Sequence, residues 1–142
     1  MTRPDIDMYY LAMLPLIASR ATCPRRKVAA ILVDDSGRLV SIGYNGVPSG
    51  MFHCIDTPCA GASDQSGDTT RCIAIHAEQN ALSQARASRR SPYTLYCSTE
   101  PCFDCAKLLI TEGVKRVVAA STYPDKRGVN LLLQAKVEVQ YA

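Results

Sequence analysis

Two short stretches set the strongest constraint on how this chain can fold. His76-Ala77-Glu78 stands at the head of residues 75–90, IHAEQNALSQARASRR, where good helix formers without Gly or Pro and a basic C-terminal end predict a helix. Pro101-Cys102-Phe103-Asp104-Cys105 heads a second predicted helix, 102–113, closed by Gly113. One imidazole and two thiolates supply three ligands suited to Zn²⁺ and leave the fourth tetrahedral position for water. For His76, Cys102 and Cys105 to share one metal, two helix starts must meet at a point. Cys102 and Cys105 are three residues apart and share a helix face. A helix N-terminus also favours thiolates through its exposed N–H groups and dipole. Glu78 lies two residues from His76, off that residue's face, so it need not be a ligand. It is free to act instead as a general acid–base beside a metal-activated water.

Taken alone, each stretch has a plainer reading. His-Ala-Glu is an ordinary helix start, and Cys-x-x-Cys is half of a structural zinc knuckle or a redox pair. Their order, with each at a predicted helix start, favours the shared metal. The chain carries seven cysteines in 142 residues. An odd number cannot all pair, and close spacings of this kind favour metal binding or catalysis over a disulfide framework.

The rest of the chain predicts a sheet layered with helices. Residues 5–19 have helical apolar spacing, with Pro15 expected to kink the helix or make an irregular turn. Residues 27–33 and 39–44 read as a β-hairpin around the turn signal Asp34-Asp35-Ser36-Gly37-Arg38. Strands follow at 93–98, 114–121 and 137–141, with a short helix at 128–136. Helices alternating with strands predict a partly parallel sheet after the hairpin. Residues 45–72 form a long Gly- and Pro-rich segment, of the kind that is functional or pinned by something. Length and a 47% apolar fraction predict one domain over 1–142. A net charge of +3 suits a phosphorylated small molecule and gives no reason to expect a nucleic-acid partner. No run approaches the roughly 18 apolar residues of a membrane span, and a cytoplasmic location is expected.

These residues resemble the zinc-dependent cytidine deaminase superfamily, whose signature is H-x-E followed by P-C-x-x-C. More narrowly, the chain resembles the deoxycytidylate (dCMP) deaminases. The resemblance runs through ATCPRRKVAAILV, GYNGVPSG, HAEQNAL and STEPCFDCAKLLITEGVKRVV. The Gly43-Tyr44-Asn45-Gly46 stretch with Pro48 and Gly50 is the part that selects the dCMP branch. The resemblance implies a three-layer α/β/α cytidine deaminase-like fold around a five-stranded mixed sheet. It implies hydrolysis of dCMP to dUMP and ammonia in pyrimidine nucleotide biosynthesis. It also implies a homohexamer that dCTP activates and dTTP inhibits, with Mg²⁺ accompanying the triphosphates.

Residue by residue, the resemblance assigns His76, Cys102 and Cys105 as zinc ligands and Glu78 as the proton shuttle. It assigns Asn45 to nucleotide binding and sets Gly46 to Gly50 near an effector site. The 5′-phosphate needs cationic or N–H donors. Residues 24–27, PRRK, and 125–127, DKR, hold the basic candidates; Arg26, with Lys27 beside it, is favoured, and Tyr123 is expected to close on the base. The long segment has little core of its own, and a metal would offset the entropy of ordering it. Cys23, Cys54, Cys59 and Cys72 are the expected ligands of a second, structural zinc, with His53 as a substitute. Free buried cysteines are the alternative. Cys97, mid-strand, reads as a small core residue. Two other functions compete: a deaminase of cytosine, cytidine or tRNA adenosine, and a non-catalytic zinc-binding module. The tRNA reading requires a stronger basic face, and the presence of Glu78 counts against the module.

Overall fold

A computed structural model describes residues 2–65, 68 and 70–142. Its elements in chain order are α1 (Ile6–Ala18), β1 (Ala29–Val33), β2 (Leu39–Tyr44), α2 (Ala77–Ala85), β3 (Thr94–Cys97), α3 (Phe103–Thr111), β4 (Arg116–Ala119), α4 (Arg127–Gln134) and β5 (Glu138–Tyr141). The five strands form one sheet in the order β2-β1-β3-β4-β5. β1 runs antiparallel to β2 and β3, whereas β3, β4 and β5 are parallel. This is the mixed sheet expected from the sequence. Asp34 closes the hairpin: its side chain accepts hydrogen bonds from the Ser36 and Arg38 amides, each at 2.9 Å.

Side-chain alternation builds the layers. Ala30 and Leu32 of β1, Leu95 and Cys97 of β3, and Val117 and Ala119 of β4 pack with Ala81, Leu109 and Leu132 from α2, α3 and α4. Their neighbours Ile31, Tyr96 and Val118 face the other way, against Tyr10 and Leu14 of α1. A period of two thus feeds two cores from each inner strand, and the result is the expected three layers. Cys97 is fully buried, as its position predicts.

Two expectations need correction. The first helix runs through Pro15 to Ala18 without an irregular turn. Pro15 is exposed and close to the helix end, so the bond it denies to Leu11 is lost beside solvent. The second helix stops at Ala85 rather than Arg90. Ala87 and Ser88 donate to the carbonyls three residues back, and Arg90 turns to Asp34 at 3.1 Å. That ion pair returns the chain to the end of β1, where β3 must begin.

Two glycines allow the close approaches that bring the helix starts together. A Cβ on Gly43 would lie 2.4 Å from the Ala77 carbonyl, and one on Gly128 would lie 2.3 Å from the Pro101 carbonyl. α2 therefore rests directly on β2, and α4 rests on the loop that carries Cys102.

On the opposite face, Asp7 of α1 accepts hydrogen bonds from Arg116 (2.9 Å) and the Tyr96 hydroxyl (2.7 Å). The Arg116 guanidinium holds the Asp7 carboxyl below its usual 3.8, against the opposing effect of burial. A carboxyl lowered by folding contributes stability that is complete above its unfolded value and is lost as pH falls through the folded one. The melting temperature of the native chain minus that of Asp7→Asn is therefore expected to be positive near neutral pH and to shrink below about pH 4. A difference that stays constant across that range would show that the ionised pair is not its source.

Candidate active site

His76 and Cys102 occupy equivalent places, each the N-cap of its helix with an extended backbone (φ −70°, ψ 154° and φ −71°, ψ 172°). The His76 amide donates to Gln79 Oε1 at 2.9 Å, which fixes the turn into α2. Cys105 follows in the first turn of α3 and is fully buried. His76 Nδ1 stands 3.3 Å from Cys105 Sγ and 3.4 Å from Cys102 Sγ. All three ligand atoms lie within 4.8 Å of one another. Ligands at about 2.0–2.3 Å from a tetrahedral zinc stand roughly 3.5 Å apart, so the three side chains fit that ion.

The electrostatics point the same way. The Cys102 thiol is held down to about 4 by its hydrogen bond from Cys105, with a further contribution from His76. The same hydrogen bond pushes Cys105 up, and burial adds to this. His76 is raised chiefly by Cys102. Without a cation, the second thiolate has nothing to neutralise it, and a bound divalent ion releases that proton. Glu78 is 4% exposed, and burial pushes its carboxyl up. Its Oε2 accepts from Cys105 Sγ at 3.5 Å, so it stands beside the trio and outside it.

His76, Glu78 and Cys102 open on one cavity, which Arg26, Asn45 and Tyr123 also line. The basic candidates now separate. Lys27 is exposed and does not line the cavity. Arg25 lines it but is engaged by the backbone of the long loop, donating to the carbonyls of Gly61 (3.1 Å), Gln65 (2.8 Å) and Asp68 (2.7 Å). Arg127 pairs with Asp125 at 2.8 Å. Among the described residues, Arg26 is the cavity cation without an anionic or carbonyl partner, and its guanidinium lies 5.3 Å from the centre of the Tyr123 ring. Asn45 holds the start of β1: Oδ1 accepts from the Val28 amide at 2.8 Å, and Nδ2 donates to the Arg26 carbonyl at 2.9 Å. One Nδ2 hydrogen is left for the cavity.

Comparison with known proteins identifies this arrangement. The family model for the cytidine and deoxycytidylate deaminase zinc-binding region matches residues 4–121. The chain belongs to this family. Among these deaminases, the deoxycytidylate deaminase of Mycobacterium phage D29 is 41% identical over 124 residues, covering 83% of this chain and 96% of the phage protein. That of Saccharomyces cerevisiae is 33% identical over 97% of this chain, which spans 45% of the yeast enzyme. The crystal structure of dCMP deaminase from the cyanophage S-TIM5 in complex with dCMP and dUMP superposes with a TM-score of 0.81 at 32% identity, covering both chains completely. A zinc-binding deaminase fold thus carries the cavity.

The four loop cysteines lie in one neighbourhood. The Ile55 amide donates to the Thr22 carbonyl at 3.0 Å, which brings Cys54 near Cys23. Burial raises the Cys54 thiol, and the neighbouring Cys59 and Cys23 also act on it. The nearby amide of Ile73, the residue after Cys72, lowers the Cys59 thiol. Among the described residues, however, no trio besides His76, Cys102 and Cys105 has its ligand atoms within 4.8 Å of one another. Cys23 and Cys72 line the catalytic cavity. His53 lies exposed on a separate groove of about 570 Å³, which Gly46 and Gly50 also line.

Sequence reading missed Glu100, which lines the cavity with only 2% exposure. Burial pushes its carboxyl up, but hydrogen bonds from Lys126 and Tyr141 outweigh burial and leave it below the usual range. Its signal was an acid set directly before Pro101 in a strand-to-helix loop.

Proposed function

We propose that this chain hydrolyses dCMP and water to dUMP and ammonia at the His76, Cys102 and Cys105 centre. The carrying observation is the end-to-end likeness to the cyanophage dCMP deaminase whose crystal structure holds dCMP and dUMP. His76, Cys102 and Cys105 are the zinc ligands, and the ion, when bound, supplies Lewis acidity that activates water at neutral pH. Glu78, buried beside the ligand trio, takes a proton from the attacking water and gives it to the ring nitrogen, then takes the hydroxyl proton of the adduct and passes it to the departing amine. Arg26 takes the 5′-phosphate at the mouth, Tyr123 covers the base, and the remaining Nδ2 hydrogen of Asn45 reaches the sugar.

The test compares dCMP with deoxycytidine, which lacks the phosphate. Arg26→Ala is expected to lower kcat/KM for dCMP by about 10- to 100-fold, the worth of a charge-assisted hydrogen bond. Deoxycytidine is expected to lose much less. Equal losses on both substrates would show that Arg26 does not bind the phosphate.

The wider assignment follows the same likeness. The chain works as one domain over 1–142, as a homohexamer in the cytoplasm. No described helix is long and apolar enough to cross a membrane. The groove at Gly46 and Gly50 takes dCTP as activator or dTTP as inhibitor, each with Mg²⁺; opposite effects of the two on dCMP turnover would bear this out, and no response to either would refute it. Cys23, Cys54, Cys59 and Cys72 close on a second zinc, supported by the Cys54–Cys59 contact. Two zinc ions per chain are expected by elemental analysis, and one would return these cysteines to packing.

A further inference from the structure

We infer that Glu100 is a positioning residue for substrate: its buried carboxylate holds the Tyr123–Arg26 pair over the cavity mouth. This rests on the assignment of Arg26 to the phosphate.

The loop before α3 and the loop before α4 are joined by a short run of hydrogen bonds. Ser121 Oγ donates to the Ser98 carbonyl at 2.7 Å, and the Glu100 amide donates to the Ser121 carbonyl at 3.1 Å. Thr99 Oγ1 donates to the Thr122 carbonyl at 3.2 Å. These bonds bring residues 120–122 alongside residues 98–100, but none of them fixes Tyr123 or the residues between it and α4. That task falls to the Glu100 side chain. Lys126 Nζ lies 2.8 and 2.9 Å from its two oxygens. The Tyr123 amide and the Tyr141 hydroxyl are near enough to lower its carboxyl further. One carboxylate therefore anchors the start of α4 through Lys126, three residues after Tyr123.

Burial makes this gathering directional. The Glu100 side chain has no solvent exposure, whereas that of Lys126 is 49% exposed. A buried carboxylate without partners is costly, so the donors are drawn inward to it. Tyr123 sits between this ion pair and the Thr99 bond to the Thr122 carbonyl, and its ring is the surface on which the Arg26 guanidinium rests. A cation over an aromatic face is held weakly, and its place depends on where the ring sits. Asn45 fixes the Arg26 backbone at the carbonyl. Glu100 fixes the far end of the same side chain, through Tyr123. No metal ligand or proton carrier takes part in this chain of contacts. Its loss is therefore expected to weaken nucleotide binding and to spare the chemical step.

The experiment measures kcat and KM for dCMP and for deoxycytidine, with zinc content, in Glu100→Gln and Lys126→Met. Glutamine keeps the size of the side chain and removes its charge. Methionine attacks the pair from its half-exposed side, so it serves as the readout where Glu100→Gln does not fold. KM for dCMP is expected to rise about tenfold with kcat moving less than about twofold, the pattern of lost uniform binding. The preference for dCMP over deoxycytidine should narrow, with zinc unchanged. A fall in kcat as large as the rise in KM, or loss of zinc, would make Glu100 a general structural support and overturn the inference. Retained preference in both variants, with Arg26→Ala losing it, would overturn this inference alone. Retained preference in Arg26→Ala as well would overturn the phosphate assignment and this inference together.

Discussion

Replacing Glu78 by Gln is expected to lower dCMP turnover by about 10²- to 10⁴-fold, the usual contribution of a positioned acid–base group, while zinc stays bound. Two features of the site lead to that split. Glu78 is outside the ligand trio, so the three ligands remain when its carboxylate is removed. Its burial is nearly complete, so water cannot readily take over its role. Glutamine fills the same space and can still accept from Cys105, but it can neither take up nor release a proton at neutral pH. KM for dCMP should change little, because the variant leaves Arg26, Asn45 and Tyr123 in place. Turnover within tenfold of the native rate would remove Glu78 from the chemistry. Loss of zinc along with activity would instead make Glu78 part of the metal site's scaffold.

The sequence pointed to the His76, Cys102 and Cys105 cluster and left its surroundings obscure, for physical reasons that differ by residue. His76, Cys102 and Cys105 were legible because metal ligation needs particular atoms at particular offsets from helix starts, and such offsets are local. The strands were legible from β-rich runs bounded by turn signals, as in residues 27–33 and 39–44 on either side of Asp34 to Arg38. The end of α2 was not, because Arg90 leaves the helix for Asp34, and a contact across 56 residues writes no local pattern. The basic candidates were ambiguous for the same reason. Arg25 and Arg26 are adjacent and identical in type, yet one is engaged by loop carbonyls and the other rests on Tyr123 in the cavity. Only tertiary partners separate them. Glu100 reads as one more surface acid until Lys126 and Tyr141 are seen to converge on it.

Cys105→Ala tests the metal centre itself, and its expected effect is complete: turnover below detection and one fewer zinc per chain. Cys105 is the ligand with the least freedom, fully buried in the first turn of α3, with His76 Nδ1 on one side and Glu78 on the other. Alanine leaves two protein ligands, His76 and Cys102, where a catalytic zinc ordinarily has three. The missing ligand cannot be replaced from the solvent side, since the vacated space lies within the core. Stability should fall as well, because an ion that binds only the folded chain stabilises it by mass action, and that contribution ends with the site. The melting temperature of Cys105→Ala is therefore expected to drop and to cease responding to added zinc at this centre. Cys97→Ala provides the comparison, since Cys97 is equally buried but packs in the sheet core. That variant should show the small loss of a trimmed core side chain, with zinc and turnover retained. Native zinc content in Cys105→Ala would show that His76 and Cys102 do not depend on Cys105 to hold the ion, and the centre would have to be reassigned.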